Sequence, residues 1–394
     1  MCDVPALRFP EFIKSWECSI LEKLSKKIGD GIHSTPSYDD NGTFYFINGN
    51  NLNGGKIVIT SSTKRVSEKE AYKNNAENLE ANSILMSING TIGNVALYHN
   101  EPIMLGKSAC YINSKDNIDK NYLFYYLQYP KTQLYFEAEL TGTTIKNLSL
   151  QSIRKTKIYI PTIEEQHKIS RFLQKIDERI STQNKIIERL ETLIKGIVDS
   201  IFTANKFPKV PFKEIYVRAG EGGTPTTSNP EYYDNGTIPF IKIDDLQNKY
   251  IKTNKDCITE LGLQKSSAWI VPANSIIYSN GATIGAISIN LFPVCTKQGI
   301  LGVVPKADIN VEFLYYFMTS TAFTKAVERI VTEGTMRTAY LKDINYIPCP
   351  VPCSVKQDEI AKLLSTLSKK LENEVIFQMK LQKQKEFLLS HMFI

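Results

Sequence analysis

The sequence predicts an α+β chain built as an internal duplication: two mixed α/β domains, each followed by a long helix, the helices packed as an antiparallel coiled coil within the chain. Three observations predict it. Segments of the first half return in the second at a nearly fixed offset. Each copy divides into a part dense in turn formers and a part almost without them. The second part carries apolar residues at a spacing of 3.5.

The repeat is the strongest signal. Asp40-Asn41-Gly42-Thr43 returns as Asp234-Asn235-Gly236-Thr237, and Ala81-Asn82-Ser83-Ile84 as Ala273-Asn274-Ser275-Ile276. Thr91-Ile92-Gly93 returns as Thr283-Ile284-Gly285, and Gly142-Thr143 as Gly334-Thr335. Leu123-Phe124-Tyr125-Tyr126 resembles Leu314-Tyr315-Tyr316-Phe317. Ile160-Pro161, with Gln166 and Ile169, matches Val351-Pro352, with Gln357 and Ile360. The offset stays between 191 and 194. Single short matches arise by chance, but collinear ones at one offset mean two copies of a domain. The expected divisions are 1–160 and 206–350 for the globular domains, and 161–205 and 351–394 for the helical segments.

The globular parts are rich in Gly, Asn, Thr, Tyr and β-branched residues. Short apolar runs bounded by Gly, Asn and Pro predict strands at 44–47, 57–59, 84–86, 95–98, 276–278 and 299–304. Amphipathic spacing with an aromatic face predicts helices at 121–128 and 312–326.

The helical segments, about 164–203 and 355–393, hold no Pro and only Gly196. In the first, Ile169, Leu173, Ile176, Ile180, Gln183, Ile187, Leu190, Ile194, Ile197 and Ile201 alternate steps of 4 and 3, a coiled-coil seam. Shifted by 191, the same frame reads Ile360, Leu364, Leu367, Leu371, Glu374, Gln378, Leu381, Lys385, Leu388 and Met392. Its middle is polar, and Val375, Ile376 and Phe377 are expected to take over the packing there through a local shift of register. Each helix would be about 58 Å long at 1.5 Å per residue. Helices of that length need a partner, and the economical one is the other copy, antiparallel, with the two domains at opposite ends about a pseudo-two-fold axis.

Composition bounds the function. The chain has 394 residues, 42% hydrophobic and 22% charged, which predicts a soluble protein of two or three domains. No run of eighteen apolar residues predicts a membrane span, and the N-terminus has no signal-peptide pattern. Seven cysteines without regular spacing predict reduced thiols in the cytoplasm. A net charge of +6 permits nucleic-acid binding without requiring it.

The search for catalytic chemistry finds no supported site. Asn229-Pro230-Glu231-Tyr232 misses the Asn-Pro-Pro-Tyr of amino-methyltransferases by its Glu, and no Asp or Glu is followed two residues later by Lys. Gly106-Lys107-Ser108 has Glu101 where a phosphate loop requires Gly. Asp244-Asp245 has no companion ligand, Cys349 and Cys353 have no second pair for zinc, and the four histidines form no metal motif. His167 is expected to face solvent from its helix.

What the globular parts do offer is polar and basic residues at paired loop positions. The segment 31–37, with Thr35 and Ser37, pairs with 222–227, with Thr224 and Thr226. Asn48, Asn50 and Asn51 pair with the segment holding Lys242 and Asp244. Lys107-Ser108 pairs with Lys297-Gln298, and Thr143-Thr144-Ile145-Lys146 with Thr335-Met336-Arg337-Thr338. Asn and Gln read adenine, Lys and Arg read guanine, Asp reads cytosine, and Ser or Thr bonds base or phosphate. Gly, Thr and Asn are also turn formers. The frame is kept while Asn50 becomes Asp244 and Ser108 becomes Gln298, as expected if each copy reads a different DNA sequence.

The chain resembles the specificity subunit of type I restriction-modification enzymes. The resemblance lies in Leu7-Arg8-Phe9-Pro10-Glu11-Phe12 with Trp16, in Gly222-Gly223-Thr224-Pro225, in the two Thr-Ile-Gly elements, and in Ile160-Pro161-Thr162-Ile163-Glu164-Glu165-Gln166 leading into a long helix. The second copy departs from it, since Ser354-Val355-Lys356-Gln357 keeps only the Gln. The resemblance implies two target-recognition domains, each reading half of a bipartite site in double-stranded DNA, with helices that set the spacer. It implies a non-catalytic cytoplasmic subunit without a cofactor of its own. Its partners would be two modification subunits and restriction (translocase) subunits, which carry S-adenosylmethionine, Mg2+ and ATP. Two other readings fit the residues: the specificity component of another methylation-based defence system, and a coiled-coil scaffold that does not bind DNA.

Overall fold

The structure, a computed structural model, describes residues 4–74, 76–142, 146–204, 207–281, 283–331 and 337–394. It forms two compact units, Met1–Asn184 with Phe377–Ile394, and Lys185–Ile376. Each unit holds a globular domain, part of the first long helix, Ile163–Ala204, and part of the second, Ser354–His391.

In the first unit the central sheet is antiparallel, in the order Ser25–Asp30, Ala109–Ser114, Ser83–Ser87, Val95–Leu97. Every residue of Ala109–Ser114 and Ser83–Ser87 is buried, so both faces of the sheet are covered. Side-chain alternation sorts the residues into two cores. Ile84, Met86, Cys110 and Ile112 pack with Tyr122, Leu123 and Phe136 of the helices Lys120–Leu127 and Pro130–Ala138 and with the long helices. Leu85, Ala109 and Tyr111 pack against a small sheet of Arg65–Val66, Phe44–Ile47 and Ile103–Leu105.

The second unit repeats this plan. Its central sheet runs Tyr216–Glu221, Ile300–Pro305, Ile276–Ser279, Ile287–Asn290, Tyr250–Ile251, and its small sheet is Asp256–Ile258, Ile238–Ile241, Cys295–Thr296. Ile276, Tyr278, Leu301 and Val303 face the helices, while Ile277 and Ile300 face the small sheet.

Two elements differ from the sequence expectation. The helix predicted at 312–326 is two helices, Val311–Thr319 and Thr321–Ile330. Ser320 breaks it: its backbone is extended (φ −69°, ψ 151°), and its hydroxyl accepts from the Phe323 N–H at 3.3 Å, a capping bond that competes with helix continuation. The strand predicted at 57–59 is the shorter Lys56–Ile57, in a hairpin with Leu52–Asn53.

One glutamine fixes the entry to each long helix. Gln166 is buried; its Oε1 accepts from the Asp119 N–H at 3.0 Å and its Nε2 donates to the Pro161 carbonyl at 2.9 Å. Gln357 is also buried, accepting from the Asn310 N–H and donating to the Pro352 carbonyl, both at 2.9 Å. Asp119 and Asn310 are themselves the N-caps of Lys120–Leu127 and Val311–Thr319, so each glutamine locks a domain helix to a long helix. Glu165 does different work. It is buried and takes the Arg8 guanidinium at 2.8 and 2.9 Å and the Trp16 indole N–H at 3.3 Å, holding the N-terminal segment. Its counterpart Lys356 is exposed beside Glu359. His167, half exposed, does not simply face solvent: its Nε2 lies 3.3 Å from Asp119.

The two long helices are antiparallel. In the first unit Ile169, Leu173 and Ile176 share a core with Leu388, Leu389 and Met392; in the second, Val198 and Phe202 share one with Ile360, Ala361 and Leu364. Of the remaining seam positions, Gln183 and Leu381 are buried, and Ile180, Ile187, Leu190, Ile194, Leu367 and Leu371 are half-buried. The expected register shift does not occur. Val375, Ile376 and Phe377 are exposed, and the frame continues through half-buried Glu374, Gln378 and Lys385. Local ion pairs explain this. Lys385 lies 2.7 Å from Asp177, to which the Tyr125 hydroxyl donates at 2.8 Å, and Glu374 takes Lys370 at 3.2 Å. Partnered charges can occupy a half-buried seam with their stems packed.

The second domain has its own polar anchor. Lys249 donates to Tyr316 at 3.1 Å and to Ser365 of the second long helix at 2.8 Å, and Glu312 accepts from Tyr250 and Ser365. Burial by itself would raise the Glu312 carboxyl, but the Ser365 and Tyr250 bonds and the Lys249 charge hold it below the usual range. No helix among the described residues is long and apolar enough to cross a membrane.

Candidate nucleic-acid interface

Five loops meet at one end of the first domain. Ile32 pairs with Gly106, the Ile88 N–H donates to the Ser108 carbonyl at 2.9 Å, and the Leu148 N–H donates to the Ile88 carbonyl at 2.9 Å. The Ser108 hydroxyl receives the Gly49 N–H and donates to Asn48 Oδ1, both at 2.9 Å. The second domain repeats the backbone part of this lacing: the Gly222 N–H donates to the Ile300 carbonyl at 2.9 Å, as Gly31 does to Ala109 at 3.1 Å, the Asn280 N–H to the Gly299 carbonyl at 3.0 Å, and the Ala339 N–H to the Asn280 carbonyl at 2.9 Å.

Glycine is required where these loops touch. A Cβ on Gly31 would sit 2.1 Å from the Leu105 carbonyl oxygen, and one on Gly222 would sit 2.0 Å from that of Thr296. Gly93 and Gly285, the last residues of the repeated Thr-Ile-Gly, have φ of +84° and +104°. Each donates its N–H at 3.0 Å, to Ser87 or Ser279, and so closes the tip of a hairpin.

These bonds revise the loop pairing. Equivalent carbonyls place Ser108 with Gly299 and Lys107 with Gln298, one residue from the sequence match. The change is therefore not Ser108 to Gln298. Gly299 has no hydroxyl to tie its loop, and its N–H bonds Glu221 Oε1 at 2.7 Å instead. Likewise Leu148 matches Ala339, which pairs Lys146 with Arg337 rather than with Thr338.

The candidate residues separate by role. Asn48, Asn51 and Ser108 hold their own loops, since Asn51 Oδ1 accepts from the Asn48 N–H at 3.0 Å. In the second domain Thr224 accepts from the Gln298 N–H at 3.2 Å, Asp245 accepts from the Lys242 N–H at 2.9 Å, and the Lys242 ammonium pairs with Asp256 at 3.0 Å. Thr35, Ser37, Asn50, Lys107, Lys146, Thr226, Asp244, Lys297, Gln298 and Arg337 are exposed. Among the described residues, Lys107, Lys146, Lys297 and Arg337 have no carboxylate partner. Thr143, Thr144 and Thr335 lie outside the described residues.

Sequence reasoning passed over Thr91. It is exposed at the hairpin tip, and its hydroxyl donates to the Gly49 carbonyl at 3.3 Å. Its signal was the Thr-Ile-Gly repeat, which marks the tip in both copies. In the second unit a cavity of about 300 Å³ opens beside the corresponding tip, lined by Thr283, Ile284, Gly285, Glu328 and Arg337.

The near-miss motifs are turns. Asn229 caps the short turn Pro230–Tyr232 by accepting from the Glu231 N–H, and Asp244 lies in the turn Ile243–Asp245. No group of three His, Cys, Asp or Glu among the described residues is placed to hold a metal. Apart from Asp244, the exposed candidate groups are hydrogen-bonding or cationic, chemistry that binds bases and phosphates.

Comparison with known proteins gives the family. The model of the type I restriction modification DNA specificity domain matches twice, over residues 14–192 and 209–380. The chain belongs to the type I restriction modification DNA specificity domain family. Both family domains include a globular part and most of the helix that follows it. Among curated relatives, the type I restriction enzyme MjaIX specificity subunit of Methanocaldococcus jannaschii is 30% identical over 185 residues, 45% of this chain and 42% of that protein. The putative MjaX specificity subunit of the same organism is 25% identical over 304 residues, 71% of this chain and 69% of that one. The structure of a type I restriction-modification S subunit from M. genitalium shares the fold, with a TM-score of 0.58 at 18% identity over 99% of each chain.

Proposed function

We propose that this chain is the non-catalytic specificity subunit of a type I restriction-modification complex, reading double-stranded DNA. Each globular domain reads one half of a bipartite site through its laced loops, and the long helices set the number of unspecified base pairs between the halves. One observation carries this reading. The two copies keep the same backbone bonds between their loops while the exposed side chains on them differ, Asn50 against Asp244 and Lys107 against Gln298. A shared scaffold with different base-reading groups yields two different half-sites.

The helices also supply a surface for partners. Phe172, Ile186, Leu193, Leu363, Met379 and Phe387 are exposed, and a groove of about 440 Å³ lies among Arg179, Gln183, Phe377 and Leu381 in the first unit. Two modification subunits dock on the helices in this reading. They bring S-adenosylmethionine and Mg2+, restriction subunits bring ATP-driven translocation, and the complex works in the cytoplasm.

Methylome sequencing of cells expressing this chain with its modification subunit tests the proposal. The expected result is adenine methylation at a two-part motif. Lys297→Ala combined with Gln298→Ala should relax one half and leave the other intact. Equal loss at both halves, or methylation without a bipartite motif, would overturn the modular reading.

A further inference from the structure

We propose that Lys64 and Arg65 extend the DNA contact of the first domain onto the edge of its small sheet, gripping phosphates that the second domain does not grip at the equivalent place. The inference rests on the DNA-reading function proposed above.

Arg65–Val66 is the edge strand of its sheet, next to Phe44–Ile47. The Phe46 N–H donates to the Lys64 carbonyl at 2.8 Å, so Lys64 stands opposite Phe46, two residues before Asn48. That separation is about 7 Å along a strand. The segment with Thr35 and Ser37 runs alongside, bridged to Gly106 at Ile32 and to Val66 at Tyr38. The edge strand is therefore continuous with the reading loops.

Both cations are exposed, and neither has a carboxylate partner among the described residues. Each is held by an aromatic ring instead. The Lys64 ammonium lies 6.0 Å from the Tyr38 ring centre, and the Arg65 guanidinium 4.8 Å from that of Tyr45, to whose hydroxyl it donates at 3.0 Å. A ring positions a cation without neutralising it, which leaves the charge available to an anion from outside.

The second domain is built differently at the same place. Its strand register sets Asp256 opposite Phe240 and Cys257 opposite Pro239, where the first domain has Lys64 and Arg65. Asp256 is consumed by Lys242 at 3.0 Å. One edge thus offers two free positive charges, and the other a closed ion pair and a thiol. Two unpaired cations next to base-reading loops match the phosphate backbone. The competing explanation is edge protection, because charged residues on an edge strand prevent pairing with another sheet.

The test measures binding of the full chain to a fluorescein-labelled mixed-sequence duplex by anisotropy over a range of KCl concentrations. Lys64→Gln with Arg65→Gln keeps the edge polar and removes both charges. Its slope of log K against log [salt] should be shallower than that of the unaltered chain by about 1.8, at about 0.9 per phosphate contact. Lys356→Gln, on the second long helix where its ammonium pairs with Glu359 at 3.0 Å, should leave the slope unchanged. An unaltered slope in the double variant, with a steep one in the parent, overturns the inference and supports edge protection alone. A flat slope in the parent chain overturns the DNA-reading function itself. Thermal unfolding of both variants checks that the fold is intact.

Discussion

Gln166 and Gln357 are the residues through which the two copies are most alike, and their bonds explain why. A buried side-chain amide has an acceptor and donors, and here both ends are used, one on a domain-helix N-cap and one on the proline carbonyl before the long helix. No shorter or singly functional side chain spans both. Gln166→Ala or Gln357→Ala should each cost about 1–3 kcal/mol, because each leaves a buried N–H and a carbonyl without partners. Urea unfolding measures the loss, and a cost below about 0.5 kcal/mol, typical of a surface change, would remove the clamp from this account. The repeated glutamine was legible in the sequence. Its partners were not, since Asp119 and Asn310 lie 47 residues away along the chain.

At the scale of elements, the long helices follow their periodicity closely, and the departures are electrostatic. The apolar frame places Leu173 and Leu364 at zero exposure and leaves Leu193, off the frame, half exposed. Leu173→Ala and Leu364→Ala should therefore cost about 2–5 kcal/mol each. Leu193→Ala should stay within about 0.5 kcal/mol. Similar losses at all three, measured by denaturant unfolding, would contradict the seam. The middle of the second helix was misread because three apolar residues, Val375 to Phe377, suggested a shifted frame. Sequence alone does not show that Lys385 reaches Asp177, which makes the polar frame tolerable. The single helix expected at 312–326 failed for a similarly local reason, a serine that caps a new helix rather than continuing the old one.

For the whole molecule, duplication has kept the scaffold and freed the surface. Loop lacing, small sheet and central sheet recur in both units, while exposed groups on them diverge. If the helices act as a ruler, one extra heptad in each preserves the seam frame and adds about 10 Å at 1.5 Å per residue. The methylated motif should then gain about three unspecified base pairs at 3.4 Å each. An unchanged spacer in the methylome of that variant would refute the ruler.

By itself the sequence determined the duplication, the alternation of turn-rich and helical segments, and most of the seam. These are legible because they depend on local periodicity, which the chain carries in its own order. Tertiary structure alone decided how the loops correspond. It moved Ser108 from Gln298 to Gly299 and Lys146 from Thr338 to Arg337, because backbone bonds between distant strands, not residue similarity, set that register. It also decided which charges are free. Lys242 and Lys64 look alike as surface lysines in the sequence, but one is closed by Asp256 and the other rests on Tyr38, and only the fold brings those neighbours to them.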